Sequence, residues 1–143
     1  MKKLNIGLFG FGVVGEGIYK VLEEKPQLNA TIKKIVIKDL TKPRNAPSEL
    51  FSSNADDILE DDDINVVVEL ISDSDAAHNI IVKAFNKGKH VVSANKKLIA
   101  EHHKELLELQ DKNDVSFLYE ASVCGSVPII RNLEEYFDND LLN

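Results

Sequence analysis

Three glycines at fixed spacing are the first residues in this chain with a chemical meaning: Gly10-Phe11-Gly12-Val13-Val14-Gly15. The pattern G-x-G-x-x-G follows an apolar, strand-forming run, Leu4 to Phe9, and leads into a helix-compatible segment from Glu16 to Glu24. In that setting Gly10 turns the chain sharply, Gly12 admits a pyrophosphate against the backbone, and Gly15 lets the helix pack on the sheet. The phosphates would rest at the helix N-terminus, where unpaired N–H groups and the dipole favour an anion. A tight turn that binds nothing is the competing reading; the strand-turn-helix context favours the dinucleotide.

Two further clusters bear on the same ligand. Asp39 lies 24 positions after Gly15 (39 − 15), close to where an acidic residue meets the adenosine ribose hydroxyls. Lys38 and Arg44 flank it, and two cations there suit a 2′-phosphate through charge-assisted hydrogen bonds. The cofactor is therefore NAD or NADP, with a solvated charged loop as the plain alternative. Further on, Ser93-Ala94-Asn95-Lys96-Lys97 ends one strand signal and begins a helix. Adjacent cations at a helix N-terminus oppose the macrodipole. That cost makes sense if one lysine reaches an anionic or carbonyl-bearing ligand, and none is needed if both point into water. The S-x-x-K spacing of Ser93 and Lys96 also matches penicillin-recognising acyl enzymes, but no S-D-N or K-T-G partner accompanies it.

A third cluster, Glu120-Ala121-Ser122-Val123-Cys124-Gly125-Ser126-Val127-Pro128, is a small-residue turn beside a carboxylate. Backbone carbonyls in such a turn can ligate a hard cation, and a flexible connection is as good a reading. Cys124 has no histidine near it in sequence and reads as an inert thiol. Asp61-Asp62-Asp63 reads as a solvated turn, with metal binding as the lesser alternative, and His78, His90, His102 and His103 show no metal-ligand spacing and read as surface or helix-face residues.

The elements that must position these residues alternate regularly. Strand signals fall at Lys3 to Phe9, Ile32 to Lys38, Ile64 to Ile71, His90 to Ser93 and Val115 to Tyr119. Helical patterns fall at Gly12 to Glu24, Ala55 to Glu60, Ala76 to Lys87, Lys96 to Lys112 and Val127 to Phe137. Thr41 to Asn54, with Pro43 and Pro47, reads as loop with at most a short helix. Repeated βα alternation predicts an α/β fold, a doubly wound parallel sheet of Rossmann type, as a single domain over residues 1–143. Its ligand crevice belongs at the carboxyl ends of the strands.

Composition excludes several alternatives. With 43% hydrophobic and 29% charged residues, the 143-residue chain is an ordinary globular one. A net charge of −7 argues against nonspecific nucleic-acid or anionic-membrane binding. No apolar run approaches the roughly 20 residues of a membrane span. The single cysteine fits a reducing, cytoplasmic setting.

With these clusters in view the chain resembles the N-terminal part of homoserine dehydrogenase. The resemblance rests on residues 7–15, Lys38-Asp39-Leu40-Thr41-Lys42-Pro43-Arg44 and Val67-Val68-Glu69-Leu70-Ile71. It continues through Gly88-Lys89-His90-Val91-Val92-Ser93-Ala94-Asn95-Lys96, Tyr119-Glu120-Ala121-Ser122-Val123 and Val127-Pro128-Ile129-Ile130. It implies reduction of aspartate β-semialdehyde to homoserine with NAD(P)H, in threonine, isoleucine and methionine synthesis, by an enzyme that is a homo-oligomer. It implies a catalytic role for Lys96, beside nicotinamide and substrate. It implies cofactor contacts from Gly10, Phe11, Gly12, Val13, Val14, Gly15, Lys38, Asp39, Arg44, Ser72, Ser93, Asn95 and Lys96. It also implies a monovalent-cation site, for Na+, at Glu120 and the carbonyls of Val123, Gly125 and Val127.

Two stretches depart from the family pattern. Ser72-Asp73 stands where a glycine pair is usual, which alters the expected nicotinamide contacts, and Cys124-Gly125-Ser126 replaces a run of three glycines. The family also continues into a substrate domain with further catalytic residues. The expectation is therefore an isolated cofactor domain, excised from a longer chain, that binds NAD(P) weakly and turns over no homoserine. The alternative class is a freestanding NAD(P)-binding module that senses redox state or regulates a partner.

Overall fold

The alternation of elements closes into one parallel sheet. The computed structural model describes residues 3–124. Strands β1 (Leu4–Phe9), β2 (Ala30–Val36), β3 (Phe51–Ser52), β4 (Val66–Glu69), β5 (His90–Ser93) and β6 (Phe117–Leu118) lie in the order β3-β2-β1-β4-β5-β6. Helices α1 (Val13–Glu24), α2 (Asp56–Leu59), α3 (Ser74–Asn86), α4 (Lys96–Asn113) and α5 (Ala121–Cys124) occupy the connections. Every strand pair is parallel, so the sheet is doubly wound, with the strand order reversing between β1 and β4.

Period-two alternation sorts the strand residues between two cores. Ile6, Leu8, Ile32, Ile35, Val66 and Val68 pack on the face covered by Ile18, Tyr19 and Leu22 of α1. Phe9, Val67, Val91 and Phe117 face the other way, against Ile58 of α2, Ile81 and Phe85 of α3, and Leu98 and Leu106 of α4. β4 is buried along its whole length, as its near-continuous apolar run requires.

Besides β2, which runs two residues earlier than the expected Ile32–Lys38, and β4, which is shorter than the expected Ile64–Ile71, three expectations need correction. The segment 41–54 contains a strand, β3, where a loop was expected: after a turn of 3-10 helix at Ser48–Leu50, Phe51 and Ser52 pair with Ile35 and Val36. The last strand shrinks from Val115–Tyr119 to Phe117–Leu118. Helix α3 begins at Ser74, not Ala76, because the Asp73 carboxylate accepts the Ala76 N–H and sets the cap two residues earlier. The expected helix at Val127–Phe137 lies outside the described residues. No helix among the described residues is long and apolar enough to cross a membrane.

Candidate functional site

β1 delivers the glycine loop to the point where the strand order reverses. Gly10 adopts φ +96°, and a Cβ there would stand 3.1 Å from the Leu70 carbonyl oxygen. A Cβ on Gly15 would stand 2.8 Å from the Gly10 carbonyl oxygen, so only glycine lets α1 begin this close to the loop. At Gly12 a Cβ would meet nothing within 4 Å. Gly12 is therefore dispensable for packing, and its bare backbone faces open space. It is also the N-cap of α1 and brings no side-chain cap, so the first N–H groups of the helix are left for an anion. Val13 and Val14 are 92% and 57% exposed on that first turn.

An open groove of about 710 Å³ runs from this loop toward the end of β2. Its lining includes Phe11, Lys38, Asp39, Lys42, Arg44 and Ser72. The Phe11 ring itself turns away, edge-on to Tyr19 and Phe51. Asp39 uses one carboxylate oxygen within its own loop, accepting the Thr41 N–H at 2.9 Å and the Thr41 hydroxyl at 2.6 Å. These bonds, the hydroxyl first, hold Asp39 below the usual carboxylate range. Its other oxygen is only loosely engaged, with Lys42 at 3.9 Å. Arg44 is anchored through one Nη, which donates to the carbonyls of Asp39 and Lys42 at 2.8 and 2.9 Å, with its guanidinium over the Phe51 ring. One carboxylate and three cations, Lys38, Lys42 and Arg44, thus share the end of β2.

On the other side of the glycine loop a second hollow of about 270 Å³ is lined by Gly12, Val13, Val14, Gly15, Leu70, Ile71 and Ala94. Beneath it lies a buried polar network that sequence reasoning missed. Glu69, with no exposed surface, accepts the Ser93 hydroxyl at 2.6 Å and the Ile71 N–H at 2.7 Å. Burial pushes the Glu69 carboxyl above its ordinary value, against the opposing pull of those two bonds. Ser93 in turn accepts the Asn95 N–H at 3.2 Å. Asn95 caps α4 by accepting the Leu98 N–H at 3.0 Å, and its amide donates to the Ile71 carbonyl at 3.1 Å. Ser93 and Asn95 are therefore buried connectors between the loops after β4 and β5. The strand register held the missing signal, since β4 and β5 pair Glu69 with Ser93.

Lys96 follows as the first residue of α4 and is exposed. Of the two adjacent lysines, Lys97 is engaged by Glu101 at 3.8 Å, whereas Lys96 has no side-chain partner among the described residues. Glu120 and Val123 sit at the end of β6, where α5 forms a short helical turn and the Val123 N–H donates to the Glu120 carbonyl. The other two expected cation ligands, Gly125 and Val127, lie outside the described residues.

The chain has relatives among known proteins. Residues 10–120 match the family described as "Homoserine dehydrogenase, NAD binding domain". The homoserine dehydrogenase of Bacillus subtilis (strain 168) is 37% identical over 149 aligned positions, which cover 98% of this chain and 34% of that protein. A crystal structure of a homoserine dehydrogenase from Thiobacillus denitrificans superposes with a TM-score of 0.85 at 32% identity, over 94% of this chain and 33% of the other. One from S. aureus at pH 8.5 gives a TM-score of 0.79 at 36% identity, over 86% of this chain and 33% of the other. The chain thus spans about a third of the length of these relatives.

Proposed function

The chain belongs to the homoserine dehydrogenase family as its NAD-binding domain, and on that premise we propose that it holds NAD or NADP for hydride transfer between aspartate β-semialdehyde and homoserine. One observation carries the cofactor reading: an uncapped helix N-terminus at the strand-order reversal, with open space at Gly12 and no room for a Cβ at Gly10 or Gly15. That cradle fits a pyrophosphate. The N–H groups at the start of α1 would hold it, and Asp39 would take the adenosine ribose with its less engaged oxygen. Lys38, Lys42 and Arg44 outnumber that carboxylate, which supports acceptance of a 2′-phosphate. The hollow lined by Val14 and Ala94 would hold the nicotinamide, which would supply the hydride when bound. Lys96, two residues beyond Ala94 and exposed at the start of α4, would steady the substrate oxygen and exchange its proton. Glu120 and the Val123 carbonyl would contribute to the cation site, with Gly125 and Val127. Turnover would draw on residues from the remaining two thirds of the family's length.

Calorimetric titration of the purified chain with NAD and NADP, at low and moderate salt, tests this reading. NADP binding that weakens with salt, together with loss of affinity in Arg44→Ala, is the expected result. Absence of saturable binding by either dinucleotide would refute the cofactor reading. Turnover of homoserine by the 143-residue chain alone would refute the requirement for the rest of the family's length.

A further inference from the structure

Away from the cleft, two helices bring together three donors that their sequence separation conceals. His78 is one turn into α3, and His102 and Glu105 lie three residues apart on α4. His78 Nε2 is 3.1 Å from Glu105 Oε2, and His102 Nδ1 is 3.2 Å from the same oxygen. The two imidazole rings stack with centroids 4.2 Å apart and an interplanar angle of 35°. All three donor atoms lie within 4.8 Å of one another. His78 and His102 are helix-face residues, as their sequence context suggested, but the two faces meet and bring them together.

We propose that His78, His102 and Glu105 form a binding site for a first-row divalent transition ion of the zinc class, clamping α3 to α4. The geometry supports this in three ways. In a tetrahedral site with bonds of about 2.0–2.1 Å, neighbouring ligand atoms are about 3.3 Å apart, and the two nitrogen-to-oxygen separations are close to that edge. The donor set, two imidazoles and one carboxylate, is chemically suited to zinc and its neighbours and unlike the all-oxygen shells of calcium or magnesium. The two helices are joined beneath it by one core, in which Ala77 and Ile81 of α3 and Leu98 and Leu106 of α4 are fully buried. The site is also reachable: the three side chains are 21%, 29% and 51% exposed, which leaves a face for the ion to enter and for water to complete its shell.

Stacking makes the ionic alternative weaker. If Glu105 simply paired with two protonated imidazoles, like charges would face each other at ring-stacking distance around a single carboxylate. A divalent ion instead takes a lone pair from each neutral ring, after exchange of tautomer, and a negative oxygen from Glu105. The consequence of occupancy is mechanical. Both clamped helices start at the cleft, α3 behind Asp73 and α4 behind Asn95, so the ion fixes two helix starts relative to each other.

Calorimetric titration of the chain with Zn²⁺ alone, in a non-coordinating buffer, tests the proposal. One ion per chain and a rise in melting temperature are expected. His78→Gln and His102→Gln should each weaken binding on the order of 100-fold, at least what loss of an outer hydrogen-bond partner costs metal sites elsewhere. Far-ultraviolet circular dichroism establishes that both variants fold, and His103→Gln, outside the cluster, should bind as the parent does. Absence of saturable binding up to millimolar Zn²⁺ would overturn the proposal. So would binding that survives both His78→Gln and His102→Gln unchanged.

Discussion

Replacing Glu69 is the sharpest perturbation of the cleft that does not touch its surface. In Glu69→Ala the Ser93 hydroxyl and the Ile71 N–H lose their acceptor at once, both beneath the hollow beside the glycine loop. A buried donor left unpaired costs about 1–3 kcal/mol, so two cost about 2–6 kcal/mol before any relief. Relief comes from removing a buried carboxyl, which leaves a net loss of about 3 kcal/mol as the expected value. Glu69→Gln keeps one acceptor, enough for the Ile71 N–H, and turns an amide donor toward Ser93, so about half that loss is expected. Urea unfolding at neutral pH, followed by circular dichroism with an unchanged denaturant slope, measures both. A loss below about 1 kcal/mol for Glu69→Ala would refute the reasoning, as would a glutamine variant no more stable than the alanine variant.

The same residue has a pH signature of known sign. Its carboxyl is raised in the folded chain, so the folded state binds this proton at a pH where the unfolded state has already released it. Its contribution to stability is therefore fully present below the ordinary carboxylate value and is lost as pH rises through the folded value. Parent minus Glu69→Gln stability should increase as pH falls from neutrality toward 4.5. The difference is the quantity to follow, because Asp39, Asp73 and Glu105 are lowered and run the opposite way in both proteins.

Three more outcomes follow from single distances. Gly15→Ala should destabilise the free chain by about 1–3 kcal/mol through its clash with the Gly10 carbonyl, whereas Gly12→Ala should barely move the melting temperature and should act on dinucleotide affinity instead. Asn95→Ala removes the cap of α4 and the bond to the Ile71 carbonyl, so it should cost more than the about 1 kcal/mol typical of a lost cap, read by denaturant unfolding. Lys89 is buried with its ammonium donating to the carbonyls of Asp61 and Ile64 at 2.6 and 2.8 Å; the Asp61 carbonyl also accepts the Ile64 N–H, so Lys89→Met should cost about 1–3 kcal/mol, chiefly by depriving the Ile64 carbonyl of its donor. Burial lowers the Lys89 pKa, so the unfolded chain holds that proton longer and parent stability, relative to Lys89→Met, should rise as pH climbs toward 10.5.

What the sequence disclosed depended on whether the signal was local. The glycine loop was legible because the hydrophobic period changes from two to 3.6 across it, and Gly10 and Gly15 answer to contacts within a few residues or one strand away. β4 was legible from its unbroken apolar run. β3 was not, because two residues carry no periodicity and Pro43 and Pro47 stand just before them. Glu69 was unreadable for a different reason. A carboxylate closing an apolar strand looks like the strand meeting water, and only its pairing with Ser93 on the neighbouring strand reveals a buried acceptor. His78 and His102 were hidden likewise, being 24 residues apart (102 − 78) on two helices.

The two ends of the sheet divide polar groups by whether they are already used. At the amino ends, Lys89 holds two carbonyls, and Asn5 and Asn65 bind each other's strand and the chain before it. Those groups are consumed by folding. At the carboxyl ends a buried layer is consumed in the same way, through Glu69, Ser93 and Asn95, but the layer above it is not. Lys96, Ser72, Val13 and Val14 are exposed there, and no side chain among the described residues caps the first N–H groups of α1 behind Gly12. Of the three long helices among the described residues, α3 and α4 are capped by Asp73 and Asn95 and α1 is not, which on the proposed reading reserves the N-terminus of α1 for the pyrophosphate. The buried layer then explains how the reserved surface keeps its shape: it locks the loop after β4 to the start of α4, so Lys96 is held in fixed register with the cradle it would serve.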